Sequence, residues 1–402
     1  MKIAYLTQSM SVGGSALSLL YLLKSLKQAN NGDIEIIIFC AANSFEKEIE
    51  VAYQQLGIRI IYISLPFLYS CKTLKPKIRY FIFNIKKYLK SDISNLLKEN
   101  NIDILHVNTT GFSYMYKKIK KHTNVKIITH ARELIVPNKF GIHYFIINNI
   151  TKYSDRIICI SENEAKNYYD SSKTIVIPNP LPPIFYKNSK KNEFSNDRVI
   201  VSMFSRFSYE KGNLLFVKSA KLLLKLNKDK NLLFLIVGSS TKNNNSKNKN
   251  LKNILRKIIS YIDYRRDYEN FVKKYVIRHN LSNYIKFVEY TTDIYDILFN
   301  TDIVVRPALT EDPWGRDIIE AFALRKPIVA TGNSNFYVKN GYNGFLVKPK
   351  LDEISNAINI LINNKQKRII FGERGYEIVI NMCDPKKHLQ SVLKEYKNVL
   401  KV

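Results

Sequence analysis

Asp312 and Glu320 stand eight residues apart in the stretch Arg306-Pro307-Ala308-Leu309-Thr310-Glu311-Asp312-Pro313-Trp314-Gly315-Arg316-Asp317-Ile318-Ile319-Glu320-Ala321. There an apolar run ends, an acidic loop follows and a helical pattern begins near Gly315. Carboxylates accept hydrogen bonds from vicinal hydroxyls, so acids at this spacing suit a sugar or a ribose. A plainer reading makes Glu311 or Asp312 a helix cap and leaves Asp317 and Glu320 to surface pairing. It fits Asp317 better than Glu320, which is flanked by Ile319, Ala321 and Phe322. A second stretch, Ser205-Arg206-Phe207-Ser208-Tyr209-Glu210-Lys211-Gly212, sets two cations on one loop. A guanidinium fork and an ammonium point charge placed so can straddle a diphosphate. In a chain with 63 Lys plus Arg, the pair also reads as an ordinary surface feature. The third candidate is Gly13-Gly14, after the first apolar run: glycine lets backbone approach a ligand, and free helix N–H groups attract phosphate. It is not a GxGxxG pattern, and a plain loop explains it equally well. Of the two strand-end histidines, His106 reads evenly as core packing or as support for a functional group.

The elements that hold these residues follow from the hydrophobic pattern. Short β-branched runs alternate with longer helical patterns, which argues for doubly wound parallel sheets. Strands are expected at Ile3–Thr7, Glu35–Cys40, Arg59–Ile63, Ile104–Asn108, Lys126–Thr129 and Arg156–Ser161. Four prolines between Pro178 and Pro183 then stop the pattern, because proline continues neither a helix nor a central strand. The alternation restarts with a strand at Val199–Phe204, a helix at Gly212–Leu226 and strands at Leu232–Val237, Ile285–Val288, Ile303–Arg306 and Ile328–Ala330. This gives an N-terminal domain over residues 1–180 and a second over 181–384. An amphipathic helix over 385–402, with Leu389, Val392, Leu393 and Tyr396 on one face, is expected to pack back on the first. Two α/β domains joined by a Pro-rich hinge imply a central cleft, with ligands at the carboxyl ends of strands. Thr241–Lys252 reads as a polar loop and Asn253–His279 as a basic helical insertion.

Composition narrows the class. The chain has 402 residues, 46% hydrophobic and 24% charged, so it can build real cores and is not a disordered basic tail. The four cysteines, at 40, 71, 159 and 383, form no paired spacing and suit reduced, buried thiols. No signal peptide or spanning segment is read from the sequence, and a cytoplasmic protein is expected. The net charge of +29 allows nucleic acid, an anionic membrane or a phosphorylated small molecule as partner.

Taken in order and spacing, the motifs resemble glycosyltransferase family 4, of the GT-B fold. The family's Glu-x7-Glu is matched by Asp312 to Glu320, followed by Ala321-Phe322-Ala323-Leu324-Arg325-Lys326-Pro327. Gly341 to Val347, Asp103 to His106, His130-Ala131-Arg132-Glu133, Ser154 to Ser161, Ile177-Pro178-Asn179 and Val237-Gly238 extend the resemblance over most of the chain. It implies an α/β chain of two Rossmann-like domains: an N-terminal acceptor domain and a C-terminal nucleotide-sugar domain. It implies that Glu320 binds the ribose and Asp312 faces the hydroxyls of the transferred sugar. Arg206 and Lys211 would hold the diphosphate and stabilise it as it leaves. The Gly13-Gly14 backbone would approach the same phosphates, Gly315 and Arg316 would line the nucleotide, and His130, after a first-domain strand, would lie near the donor sugar. One departure is that the first motif acid is Asp312 rather than Glu, an arm shorter by about 1.5 Å. No Asp-x-Asp occurs in the sequence, so the two cations are expected to replace a metal, with no cofactor beyond the nucleotide sugar. Retention of anomeric configuration is implied by the same resemblance.

Lys72–Lys90 contains seven basic and no acidic residues with interleaved aromatics, the makings of an amphipathic helix for an anionic membrane surface. A solvated helix packed on its own domain is the competing reading. The expected reaction is transfer from a UDP- or GDP-sugar to a glycan acceptor, lipid-linked, in bacterial surface polysaccharide synthesis at the inner face of the cytoplasmic membrane. Two other classes stand beside it. One is a catalytically idle GT-B scaffold. The other is a nucleic-acid-binding protein, disfavoured by the lack of zinc-finger, helix-turn-helix or RNP-like motifs.

Overall fold

The structure is a computed structural model. It describes the chain except residues 9, 11–12, 30–31, 42–48, 69–90, 136, 138–140, 169–171, 188–197, 240–266, 292, 310–314 and 402. The chain divides into two compact units: Met1–Pro182 with Met382–Val402, and Pro183–Asn381.

Unit 1 is built on a seven-stranded parallel sheet among the described residues, in the order β3-β2-β1-β4-β5-β6-β7. The strands are β1 (Lys2–Thr7), β2 (Glu35–Cys40), β3 (Arg59–Tyr62), β4 (Ile104–Val107), β5 (Lys126–Ala131), β6 (Arg156–Cys159) and β7 (Thr174–Val176). β4 is buried at every position and β2 at all but its first, as expected for strands covered on both faces. The order reverses at β1: the chain winds outward to β2 and β3, then returns to place β4 on the other side of β1. β7, three half-buried residues, is too short to announce itself by pattern.

Unit 2 repeats the plan with six parallel strands, in the order β10-β9-β8-β11-β12-β13. These are β8 (Val199–Phe204), β9 (Leu232–Ser239), β10 (Ile285–Glu289), β11 (Ile303–Arg306), β12 (Ile328–Thr331) and β13 (Gly344–Val347). The reversal falls between β8 and β11. In open α/β sheets such reversals open a crevice at the carboxyl ends of the strands, where ligands bind. Gly372 and Gly375 bring the Lys365–Met382 helix close: a Cβ there would lie 1.9 Å from the Arg325 carbonyl oxygen and 2.0 Å from the Phe322 ring.

The last helix, Pro385–Leu400, starts on an Asp384 side-chain cap with proline in its first turn and belongs to unit 1. Its Val392 and Tyr396 are fully buried with Ile3, Tyr5, Ile104 and Ile128, and Leu389 and Leu393 pack against that cluster. Arg156 and Glu395 form an ion pair, and Leu181 N–H donates to Cys383 carbonyl oxygen at 2.9 Å. Cys40, Cys159 and Cys383 are buried and form no disulfide.

Lys72–Lys90 and Thr241–Lys252 lie outside the described residues, as does the first part of the basic insertion. The end of that insertion forms the helix Tyr268–Arg278, which packs Val272 and Val276 into the core of unit 2.

Replacing Val392 with alanine is expected to destabilise unit 1 by about 2 kcal/mol through the cavity it leaves, with unit 2 unaffected. Amide exchange resolved by segment checks this, and equal loss in both units would contradict the assignment of the helix to unit 1.

Candidate active site

In unit 2 the loops after β8 and β11 meet at the strand-order reversal. Gly212 closes the Tyr209–Lys211 turn with φ of 75° and ψ of 23° and starts the Asn213–Leu226 helix. A Cβ there would lie 1.8 Å from the Pro307 carbonyl oxygen, so only glycine lets the two loops touch. Leu309 N–H donates to Glu210 carbonyl oxygen at 2.8 Å and locks the same contact. Buried Asn213 ties the loop from inside, accepting from Ser208 N–H at 3.3 Å and donating to Ser205 Oγ at 3.3 Å. Arg206, on this loop, is exposed, while Lys211 is half-buried. Gly238 completes the packing: its φ is 120°, and a Cβ would lie 2.5 Å from Ser205 carbonyl oxygen.

The Arg316–Ala323 helix starts on the other side of that contact. Arg306, at the end of β11, pairs with Asp317 at 2.6 Å, and a Cβ on Gly315 would lie 2.6 Å from the Arg306 Nη1. Gly315 therefore leaves room for an ion pair that ties strand end to helix start. Glu320 is 5% exposed and Arg316 is 9% exposed. Arg316 Nη2 donates to Glu320 Oε1 at 2.6 Å, an i,i+4 pair within one helix. Burial raises the Glu320 carboxyl above its ordinary range, and the Arg316 charge partly offsets that. Asp312 and Trp314 lie outside the described residues. Arg206, Lys211, Gly315, Arg316 and Glu320 thus share the carboxyl ends of β8 and β11.

In unit 1, Gly13 and Gly14 follow β1, and Gly14 is the first residue of the Gly14–Ala29 helix. A Cβ on Gly13 would meet nothing within 4 Å, so chain packing does not demand glycine there. His130 lies within β5, not after a strand, and is fully buried. The alternating pattern ends β5 at Thr129 because His130 is polar, whereas a hydrogen-bonded network lets the strand continue through it. His130 Nδ1 is 3.2 Å from His106 Nε2 and 3.3 Å from Arg132 Nη2. His106 Nδ1 is 2.8 Å from Tyr396 Oη, which is 2.7 Å from Tyr5 Oη. Arg132 Nε donates to Asn108 Oδ1 at 2.7 Å, its Nη1 donates to Asn179 Oδ1, and Asn108 Nδ2 donates to Ser15 carbonyl oxygen at 3.3 Å. The network therefore joins the ends of β4 and β5 to the first turn of the glycine-initiated helix. Sequence reading misses Arg132 as its hub and Tyr396 as its far end. The helical pattern puts Tyr396 on an apolar face, and nothing local shows that its hydroxyl meets a histidine.

The two domains match two family models: Glycosyltransferase Family 4 over residues 12–183 and Glycosyl transferases group 1 over residues 185–378. The chain belongs to the family 4-like glycosyltransferases of the GT-B fold. A curated relative, the Escherichia coli UDP-Gal:alpha-D-GlcNAc-diphosphoundecaprenol alpha-1,3-galactosyltransferase, is 25% identical over 308 residues, covering 71% of this chain and 72% of that protein. Among solved structures, Anabaena HepE in complex with UDP and glucose aligns over 99% of both chains with a TM-score of 0.71 and 18% identity. Sucrose-phosphate synthase from Thermosynechococcus elongatus aligns over 100% of this chain and 99% of its own, with a TM-score of 0.71 and 17% identity. No described helix is long and apolar enough to cross a membrane.

Two outcomes follow from the packing of this family 4-like chain. Gly212→Ala is expected to cost unit 2 at least about 2 kcal/mol, since the new Cβ meets backbone and the left-handed conformation strains alanine. Denaturant unfolding checks it. The second concerns acid. Burial, then the Arg132 charge, holds His106 down to about 3, and burial holds His388 down to about 4. His130 lies well below its ordinary value for the same reasons. The unfolded chain protonates these rings near pH 6.5, so it binds more protons than the folded one, and stability falls as pH drops below about 6.5. Glu133, whose carboxyl burial pushes up, takes up its proton more readily in the folded chain and opposes this trend. Unit 1 is expected to lose up to about 1.4 kcal/mol per pH unit for each histidine between about pH 6 and 5. His388→Gln should lower that slope by one histidine's share, and an unchanged slope would contradict the assignment.

Proposed function

We propose that the chain transfers a hexose from a UDP-sugar to a lipid-linked glycan acceptor, with retention of anomeric configuration, in bacterial surface polysaccharide synthesis. The observation that carries this reading is the convergence of Arg206, Lys211, Arg316 and Glu320 at the β8/β11 reversal. The curated E. coli relative, whose name gives a UDP-galactose donor and a diphosphoundecaprenol-linked acceptor, supports the choice of donor base and acceptor class.

Each residue then has a task. Glu320 keeps Oε1 on Arg316 and offers Oε2 to the ribose hydroxyls. The buried Arg316 orients that carboxyl and favours its charged form against the effect of burial. Arg206 and Lys211 bind the diphosphate and stabilise the charge that grows on it as the glycosidic bond breaks. The Gly13-Gly14 helix start brings backbone N–H groups to the same phosphates. Asp312 and His130 hold hydroxyls of the donor sugar. With two cations on the leaving diphosphate, the reaction proceeds without a metal ion or other cofactor. Lys72–Lys90 brings the enzyme to the anionic inner face of the membrane, where a lipid-linked acceptor is met.

Glu320→Ala should lower kcat/KM for sugar-dependent UDP release at least about 100-fold, the scale of a lost buried charge-assisted hydrogen bond pair. Unchanged turnover would show the site map to be wrong. Excess EDTA should leave wild-type turnover intact, and the product's anomeric configuration, read by NMR, should match that of the donor. Flotation with anionic liposomes at moderate salt tests the membrane contact: failure of the full chain to float would remove it.

A further inference from the structure

The hydrogen-bond network inside unit 1 has a direction, and Arg132 fixes it. A guanidinium only donates. Arg132 Nη2 is 3.3 Å from His130 Nδ1, so that nitrogen is an acceptor and the ring hydrogen sits on Nε2. His106 Nε2, 3.2 Å from the same Nδ1, must then be a donor, which leaves His106 Nδ1 as an acceptor. Tyr396 hydroxyl therefore donates to His106 Nδ1 at 2.8 Å and accepts from Tyr5 hydroxyl at 2.7 Å. Each hydrogen from Tyr5 to His130 is thereby assigned. At the end of the series, His130 Nε2 is buried and has no hydrogen-bond partner among the described residues. A buried donor left unpaired is costly, and an oxygen arriving with a ligand recovers that cost.

We propose that His106 and Tyr396 are positioning residues that lock His130 as a neutral imidazole, presenting its Nε2 hydrogen to a hydroxyl oxygen of the donor sugar. The inference rests on the assignment of His130 to that sugar under the proposed function. His130 then serves as a hydrogen-bond donor and not as a base, because its one basic nitrogen already accepts from two donors. Burial and the Arg132 charge also keep both rings neutral. A neutral donor suits a hydroxyl and adds no charge beside the diphosphate.

The tautomers are read directly on the full-length protein with nitrogen-15-labelled histidine, by long-range proton–nitrogen correlation at neutral pH. Both rings should appear as neutral Nε2–H forms. A Nδ1–H form or an imidazolium at either ring overturns the inference, whatever the enzyme transfers. The second arm compares Kd for UDP with Kd for UDP-galactose and UDP-glucose by calorimetry. Tyr396→Phe removes the donor to His106, so it should weaken the better UDP-sugar about fivefold more than UDP. Tyr5→Phe cuts the same network beyond that bond, so it should leave the UDP-sugar to UDP ratio within about twofold of wild type. Equal weakening of both ligands by Tyr396→Phe, or an equal change in ratio for Tyr5→Phe, overturns the positioning role. Failure of the wild-type chain to bind UDP or its sugars strikes the functional reading instead, while the tautomers still judge the relay.

Discussion

The missing side chain at Gly212 is the constraint on which the nucleotide half of the site depends. With φ of 75° and the Pro307 carbonyl oxygen 1.8 Å from where a Cβ would stand, the loop after β8 can lie directly on the loop after β11. The strand-order reversal offers the crevice, and this contact sets the Arg206–Lys211 turn against the strand that leads to Glu320. Gly238 and Gly315 serve the same end from either side, one against Ser205 and the other against the Arg306–Asp317 pair. The site is thus assembled from backbone approach first and charged side chains second.

The charges are handled differently in the two units. In unit 2 a buried Arg–Glu pair shares one helix face, and its desolvation cost makes it a poor source of stability but a firm constraint on where the carboxylate points. In unit 1 the buried guanidinium of Arg132 donates to neutral acceptors, the Asn108 and Asn179 amide oxygens and a histidine nitrogen. One arrangement places a charge, and the other fixes hydrogen positions in a neutral series.

The sequence pattern located the central strands well because parallel strands covered on both faces read as continuous apolar runs. Glu35–Cys40, Val199–Phe204 and Ile303–Arg306 have the bounds expected of them. Short or polar segments escaped: β7 has three residues, and β5 continues through Thr129 to His130 and Ala131 because partners elsewhere in the unit satisfy its imidazole. Motif spacing singled out Arg206, Lys211 and Glu320, and the fold brings them to one edge of unit 2. The roles of Arg306 and Tyr396 depend on partners beyond any local repeat, so no local pattern could show them. Arg306 holds Asp317, eleven residues on, while Tyr396 meets a histidine 290 residues away.

The Pro385–Leu400 helix also sets an order of events during synthesis. Unit 2 is complete by Asn381, whereas unit 1 begins at Met1 and waits for the last segment. Tyr396 leaves the ribosome 290 residues after His106, so the nascent chain holds β4 and β5 without their tyrosine partner while the whole of unit 2 is made. Of the two units, the one begun first is therefore finished second, and a polypeptide cut short anywhere in unit 2 carries an incomplete unit 1 as well.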